Sequence, residues 1–402
     1  MVARILVAMN RTGLLGHDPQ YPNLCDIPHG CDELYFNTTA TSVEHVELAR
    51  SLAAESIVML KNDGELLPLN SDVSRVAVVG SACDASNHIQ AMLKVWNLGN
   101  YYVMGGSGRV IPSDPVSVIR GIKVSAPDSM EIVESLTDDL NRALEAMDGA
   151  DVVITCGATT STEGQDRSSL LVDQDNFIRS VVEQAKMPSV VVLMTPGASV
   201  ISNFSPKSSA VLNGFLLGQE TGTAFADIIF GAVTPSGKLP VTFALSSEDY
   251  VEPCQSNPCE YSEKLEVGWR GLVNSDVDFP FGHGMSFTTF SYSFSDEPQL
   301  LSNGDVTLSV EVANTGKFSG AEVAQVYVNF PDSAGEPLQM KAFSKTPVLL
   351  PDQVEVINFT LSAKDLQVWS VKDSTWTSVT GDFGVFVGAS SRDMRLKTSV
   401  TL

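Results

Sequence analysis

The stretch DVVITCGATTSTEGQDR, Asp151–Arg167, decides how the middle of the chain folds. It begins with the β-branched run Val152–Ile154, which is typical of a strand buried on both faces of a parallel sheet. At Gly157 the run gives way to small polar residues, so the strand is predicted to end in a loop. Ligands of open α/β sheets bind beyond the carboxyl ends of strands, which makes Glu163 a candidate for chemistry. On position alone, a loop carboxylate is more often simply solvated.

Short apolar strands alternate with helices on both sides of this stretch. Strands are predicted at residues 76–80, 190–194 and 210–216, and helices at about 140–147, 173–185 and 222–230. This alternation predicts right-handed βαβ units and a mainly parallel sheet that helices cover on both faces. We therefore expect a mainly parallel-sheet α/β sandwich over residues 71–245.

A helix is predicted ahead of this sheet. Thr41 and Glu44 have the spacing of a capping box, which predicts a helix that runs to about Leu60. Residues 38–70 are therefore assigned to a linker helix and turn. The first 16 residues have the pattern of an amphipathic helix and not that of a signal peptide.

The period of the apolar residues changes to two from about Asp305. Alternating segments occur at residues 306–312, 324–330, 357–361 and 381–388. Together with the turn residues between them, they predict an antiparallel, immunoglobulin-like β-sandwich over residues 301–402. Trp369 and Trp376 in this region are interpreted as core or edge packing in preference to a sugar-stacking pair.

Residues 246–300 separate the two domains and carry many aromatic side chains without a regular period. Exposing so many aromatic rings to water is unfavourable. The segment is therefore predicted to be an ordered connector that packs against the α/β sandwich.

The charge of the chain limits its partners. The 402 residues carry a net charge of −23, with 25 Lys and Arg against 48 Asp and Glu. This balance argues against nucleic acid and anionic membranes as partners and favours neutral ligands. No apolar run approaches the ~18 residues of a transmembrane helix.

Four of the six cysteines form two pairs that are close in sequence, Cys25 with Cys31 and Cys254 with Cys259. Each spacing allows a small disulfide ring, and neither matches a zinc site, so no metal or cofactor is expected. N-glycosylation sequons begin at four positions: Asn10, Asn37, Asn203 and Asn358. Paired cysteines together with several sequons favour a secreted protein or one of the secretory pathway.

Two further loops carry candidate site residues. The sequence GGSGR at residues 105–109 matches neither a dinucleotide fingerprint nor a P-loop, so its glycines are expected to permit a tight loop beside the site. Arg109 is expected to form a structural ion pair or hydrogen bond. Glu220, in the sequence GQETG, is interpreted as a structural residue at a helix N-terminus.

Several segments resemble, in order and spacing, the motifs of family 3 glycoside hydrolases, with the β-glucosidase branch most similar. They are ESIVMLKNDGELLPL (55–69), VAVVG (76–80), GGSGRV (105–110), STEGQDRSSL (161–170), GQETGTAFADIIFGAVTPSGKLPVTF (218–243) and FPFGHGMSFTTFSYS (279–293). Three later segments are similar to the fibronectin type III-like module that ends many of these enzymes: NTGKFSGAEVAQVYV (314–328), KTPVLLPDQ (345–353) and GDFGVFVGASS (381–391).

The resemblance implies retaining hydrolysis of terminal β-linked glucose from a glucoside or oligosaccharide. Such enzymes use two carboxylates about 5–5.5 Å apart, one as nucleophile and one as acid/base. The match places the acid/base glutamate on Glu163. Asp166 and Arg167 match the Asp-Arg pair that follows it, and we expect them to support the loop as an ion pair or to bind substrate. An acid that works near neutral pH needs a partly desolvated setting or a nearby negative charge.

The chain departs from the family in one respect, because the nucleophilic aspartate of the family lies in an N-terminal (β/α)8 barrel. Residues 1–37 are interpreted as a remnant of the last helix and loop of that barrel. Asp18 and Asp26 lie there, and neither is given a catalytic role. The chain is therefore expected to carry the acid without the nucleophile, to be inactive by itself, and to work, if at all, with a barrel-bearing chain.

Two other functions stay open. A β-xylosidase of the same family shares most of these motifs. A non-catalytic remnant that binds sugar or another protein is the alternative outside the enzyme class.

Overall fold

The computed structural model of the protein describes residues 2–15, 41–85, 94–254 and 257–402. It divides into two compact units, Met1–Glu47 and Leu48–Leu402. Several residues singled out in the sequence lie outside the described ranges: Asp18, Cys25, Asp26, Cys31 and Asn37.

The regular elements of the described residues are numbered along the chain. The helices are α1 (Val2–Arg11), α2 (Val43–Ser56), α3 (Val118–Ser125), α4 (Leu140–Met147), α5 (Asp175–Gln184) and α6 (Thr221–Ile229). The strands of the first half are β1 (Val58–Asn62), β2 (Arg75–Val79), β3 (Glu131–Ser135), β4 (Val152–Ala158), β5 (Ser189–Met194), β6 (Ala210–Asn213), β7 (Phe243–Ala244) and β8 (Val277–Phe279). Those of the second half are β9 (Phe290–Leu300), β10 (Val306–Asn314), β11 (Val323–Asn329), β12 (Gln339–Lys345), β13 (Val354–Leu361), β14 (Gln367–Ser370), β15 (Thr375–Ser378), β16 (Asp382–Gly388) and β17 (Met394–Thr401).

Helix α2 differs from its prediction at both ends. The cap is Ser42, whose hydroxyl accepts a hydrogen bond from the amide of His45 at 3.3 Å, and not Thr41. The helix ends at Ser56, whereas the predicted end was about Leu60. Residues 58–62, which the sequence placed in the linker, form the edge strand β1. A short apolar run fits a buried strand as well as a helix, and only its pairing with β6 decides between them.

The α/β domain is built on a six-stranded sheet in the order β1-β6-β5-β4-β2-β3. Strands β2 to β6 run parallel to one another, and β1 pairs with β6 in the antiparallel direction. Every residue of β4 is buried, as expected for a strand covered on both faces. Helices α3 and α6 pack on one face of the sheet, and α4 packs on the other. The predicted mainly parallel α/β sandwich is confirmed.

The strand order reverses between β2 and β4. The chain leaves β2 towards β3 on one side and returns to place β4 on the other side of β2. At such a reversal the loops at the carboxyl ends of the two strands separate and leave a crevice, where ligands of open α/β sheets bind. The loop that carries Glu163 follows β4, so it borders this crevice.

The C-terminal domain is the predicted β-sandwich. Its sheets have the orders β13-β10-β9 and β12-β11-β16-β17, and all of their strands are antiparallel. Strand β9 begins at Phe290, inside the segment assigned to the connector. A buried ion pair links the α/β domain to the sandwich: Nζ of Lys238 lies 2.9 Å from Oε1 of Glu322. In the connector, Trp269 stacks on Phe281 with ring centroids 4.9 Å apart.

Two disulfides lie in the described residues. The bond between Cys254 and Cys259 agrees with the pairing that the sequence allowed. The second bond, between Cys83 and Cys156, is completely buried beside the sheet and was not anticipated. These two cysteines are 73 residues apart, and only the adjacency of β2 and β4 brings them together.

Candidate active site

The loop after β4 is firmly anchored at its base. The amide of Ala158 donates a hydrogen bond to the side-chain oxygen of Gln174 at 2.9 Å, and the amide of Thr159 donates to the carbonyl of Met194 at 3.1 Å. Residues of the neighbouring strand and of the turn before α5 therefore hold the start of the loop that leads to Glu163.

The glycine-rich loop pairs with the Glu163 loop. The amide of Gly105 donates to the carbonyl of Ser161 at 2.9 Å, and the amide of Glu163 donates to the carbonyl of Gly105 at 3.3 Å. Gly105 and Thr162 are accordingly bridged like residues of parallel strands. This arrangement agrees with the prediction that the glycines form a tight loop beside the site.

Gly106 leaves no space between this loop and Glu163. Its backbone has φ +105°, a region that side chains other than that of glycine rarely adopt, and a Cβ atom there would lie 2.4 Å from Cβ of Glu163. The next residue, Ser107, donates its amide to Oε2 of Glu163 at 2.7 Å. Glycine at position 106 thus allows the backbone to approach closely enough to grip the carboxylate.

The electrostatic setting of Glu163 favours its ionised form. The side chain is exposed, and hydrogen bonds from the hydroxyl and the amide of Ser107 lower its pKa below the ordinary glutamate value. The expected desolvated setting is therefore not found in this chain. A carboxylate of this kind is suited to accept a proton, and a change of surroundings is needed before it donates one efficiently.

Asp166 and Arg167 do not form the predicted ion pair. Within the described part of the chain, the structure records no salt bridge for either residue. Instead, a guanidinium nitrogen of Arg167 donates to the carbonyl of Ala198 at 2.9 Å, which ties the loop to the segment after β5. Burial lowers the pKa of Arg167, and its Nη1 atom is buried with no hydrogen-bond partner among the described residues. Asp166 is exposed.

Arg109 and Glu220 have the structural surroundings that the sequence suggested. Arg109 donates to the carbonyl of Val95 at 2.8 Å, a bond that ties the glycine-rich loop to the segment before it. Glu220 is buried just before α6, and its carboxylate accepts a hydrogen bond from the hydroxyl of Thr223 at 2.7 Å.

Sequence reasoning missed a small network behind the Glu163 loop. The hydroxyl of Tyr101 donates to the carboxylate of Asp173 at 2.9 Å and accepts from the side-chain amide nitrogen Nε2 of Gln174 at 3.2 Å. Burial raises the pKa of Tyr101 to about 12, so this hydroxyl stays protonated. No local sequence pattern predicts this network or the role of Ser107, because each joins segments more than 50 residues apart in the chain.

The described ranges contain neither a metal-binding cluster nor a helix that could span a membrane. No group of three or more His, Cys, Asp or Glu side chains is arranged to hold a metal ion. No helix combines the length and apolar character required to cross a bilayer.

Comparison with known families gives two matches. Residues 57–287 match the glycosyl hydrolase family 3 C-terminal domain. Residues 322–391 match the fibronectin type III-like domain. The first match includes both loops of the candidate site, and the second lies in the β-sandwich.

Similar proteins are β-glucosidases by name. "Probable beta-glucosidase L" of Emericella nidulans is 33% identical over all of this chain, which spans 58% of that protein. "Thermostable beta-glucosidase B" of Acetivibrio thermocellus is 32% identical over 89% of this chain and 48% of its own length.

Solved structures agree. The beta-D-glucoside glucohydrolase of Trichoderma reesei superposes with a TM-score of 0.81 at 30% identity, over 90% of this chain and 56% of that one. Beta-glucosidase D2-BGL of Chaetomella raphigera gives a TM-score of 0.83 at 28% identity, over 99% of this chain and 63% of that one. The chain thus corresponds to little more than half of these proteins.

Proposed function

The chain belongs to glycoside hydrolase family 3, and on that premise we propose that it is the C-terminal part of a retaining β-glucosidase that releases terminal β-linked glucose. The names of its relatives support glucose over xylose as the sugar. Because the chain spans 58% of the first of these relatives, the complete activity requires residues that correspond to the remainder. We take residues 71–245 and 301–402 as the two domains that the chain contributes.

Glu163 is proposed as the acid/base residue. In a retaining mechanism this group first protonates the oxygen of the leaving group and then removes a proton from the water that hydrolyses the glycosyl-enzyme intermediate. Its position beside the reversal of strand order supports the assignment, since substrates of open α/β sheets bind there. The bond from the amide of Ser107, at 2.7 Å, stabilises the ionised form that the second step requires.

The first step needs the opposite condition. A nucleophilic carboxylate about 5–5.5 Å away would raise the pKa of Glu163 by charge repulsion, and cover by a second domain would raise it further by desolvation. Both influences are expected from the barrel that the family resemblance implies. We therefore expect this chain to have no measurable glycosidase activity by itself, and robust turnover of an aryl β-glucoside by the purified chain would contradict the proposal.

The test of Glu163 is a substitution in a protein that carries the barrel. Such a protein is a chimera in which the barrel of a family 3 β-glucosidase precedes this chain. Replacement of an acid/base group typically lowers the rate by about 10² to 10⁴-fold. With Glu163→Gln we expect this loss on an alkyl β-glucoside, whose leaving group needs protonation. Formation of the intermediate from 2,4-dinitrophenyl β-glucoside should be affected far less.

A matched control separates chemistry from structural damage. Glu145 is an exposed glutamate on α4, and Glu145→Gln should leave both substrates unaffected. Equal losses of Glu163→Gln on the two leaving groups would show that the acid has been assigned to the wrong residue. A preference of the chimera for β-xylosides would instead favour the β-xylosidase.

A secretory location is proposed on the disulfides. The Cys83–Cys156 and Cys254–Cys259 bonds require an oxidising compartment. Mass spectrometry of the protein from its native source should find both bonds intact and sugar on at least one sequon. Free thiols at all four positions would contradict a secretory location.

A further inference from the structure

The hairpin β14–β15 presents two tryptophans to solvent on one face. Trp369 and Trp376 are directly opposite each other in the register, with ring centroids 5.6 Å apart and ring planes at 73°. Each is 49% exposed. The opposite face of the hairpin carries Val368, which packs against the core of the β-sandwich. The preferred interpretation of the pair as packing residues therefore accounts for only half of their surface.

The strand residues that share the face of the tryptophans are polar and neutral, and the turn between the strands carries an exposed Val371 and the opposite charges of Lys372 and Asp373. Side chains alternate between the two faces of a strand, so Gln367 and Ser378 share the face of the tryptophans on one side. Ser374 lies beyond them at the turn, on the other side. The amide and the hydroxyls offer hydrogen bonds without charge, and the net charge of −23 disfavours anionic polymers.

We infer that Trp369 and Trp376 form a binding surface for neutral β-linked glucan, outside the candidate active site. All hydroxyls of a β-glucopyranose ring are equatorial, so each face of the sugar is a layer of C–H groups that fits the electron-rich face of an indole. Because the two rings are nearly perpendicular, one stacks on the sugar while the other borders it with its edge. Neighbouring hydroxyl and amide groups bind the equatorial hydroxyls. The inference rests on the proposed function only for the choice of β-linked glucose as the ligand.

The experiment is affinity electrophoresis of this chain in native gels that contain soluble mixed-linkage β-glucan. The chain should migrate more slowly than in a gel without polysaccharide, and dextran, an α-linked glucan, should have no effect. Trp369→Ala and Trp376→Ala should each weaken the retardation on the order of tenfold, as for the loss of an aromatic residue at the centre of an interface. Trp→Tyr at either position should restore part of it, because stacking is retained.

Two controls make the result specific. Phe343 is a 66% exposed aromatic residue on β12, and Phe343→Ala should bind like the unaltered chain. Glu163→Gln should also bind normally, so a failure of the proposed catalysis leaves this result untouched.

Three outcomes would overturn the inference. They are equal retardation by dextran, retardation that survives both tryptophan substitutions, and the absence of any retardation. Sedimentation velocity of the unaltered chain and the same variants tests whether a second copy of the chain binds this surface instead. If the unaltered chain is a dimer that β-glucan does not retard, and the alanine variants are monomers, the tryptophans serve self-association instead.

Discussion

Gly106→Ala should disturb the contact between the glycine-rich loop and Glu163 while the rest of the fold is retained. The new Cβ would lie 2.4 Å from Cβ of Glu163, whereas ordinary contacts begin near 3.4 Å, so the two loops must move apart by about 1 Å. A displacement of about 1 Å at a catalytic group typically costs on the order of 10²-fold in rate. The positive φ adds about 1–3 kcal/mol of backbone strain. We expect the barrel-bearing chimera with this change to lose on the order of 10²-fold in kcat/KM.

The same variant can also be tested without an activity assay. In the isolated chain, the pKa of Glu163 can be followed by NMR titration of its carboxyl carbon. Because Gly106→Ala separates the carboxylate from its donors at Ser107, this pKa should rise towards the ordinary glutamate value. Gly108→Ala is the matched control in the same loop, since a Cβ at Gly108 would have no neighbour within 4 Å.

The reasoning would be refuted if the two alanine variants gave the same titration curve and the same rate. A Gly106→Ala protein that titrates normally but loses activity would point to damage elsewhere in the crevice. Circular dichroism and thermal unfolding of both variants show whether the fold survives the strain.

Two further changes test single contacts. Ser107→Ala removes the hydroxyl and keeps the backbone amide, so the pKa of Glu163, followed by NMR titration, should rise. Because the pKa of Glu163 is lower in the folded state than in the unfolded state, the ionised carboxylate stabilises the fold at neutral pH, and this stabilisation is lost as the pH falls through the folded pKa. The variant should lose less stability over the same pH range. An unchanged titration would disprove the hydroxyl bond. Replacing Cys83 and Cys156 with alanine removes a cross-link between residues 73 positions apart in the sequence. This change should lower the free energy of unfolding, measured by guanidinium denaturation, by about 4 kcal/mol. A loss below about 1 kcal/mol would mean that chain entropy is not the main contribution of this bond.

The sequence predicted four strands of the α/β sheet because each is a continuous apolar run between turn residues. Strand β3 (Glu131–Ser135), which has no such run and is only partly buried, and helix α3 were not predicted. Strands β2, β4, β5 and β6 all begin within one residue of the predicted positions. The same rule failed at residues 57–60, where a buried run follows a helix without a break. Periodicity alone does not distinguish the last turn of a helix from the first residues of an edge strand, and the partner of β1 lies about 150 residues further along the chain.

The site was predictable only where a motif carries it. Glu163 could be singled out by resemblance, and Gly106 by its place in a glycine-rich loop. Ser107, by contrast, is an unremarkable residue in sequence, and its importance depends on a backbone amide that points at a carboxylate 56 residues away. The ion pair of Asp166 and Arg167 was expected from the family resemblance, but neighbouring side chains in an extended loop point in different directions. Arg167 consequently finds a backbone carbonyl instead.

From the sequence we expected a setting that raises the pKa of Glu163, whereas the pKa in this chain is lowered. This difference follows from the groups that surround the carboxylate. Within this chain its identified contacts are donors, and donors at a carboxylate always favour the charged form. A retaining glycosidase needs both forms in turn, so the influences that raise the pKa must come from outside the loop and must weaken after the first step. A nucleophile meets this requirement, because its negative charge disappears when it bonds to the sugar. Under the proposed function, the donors at Ser107 therefore set the basic state by default, and the charge of the nucleophile sets the acidic state only while substrate is still intact.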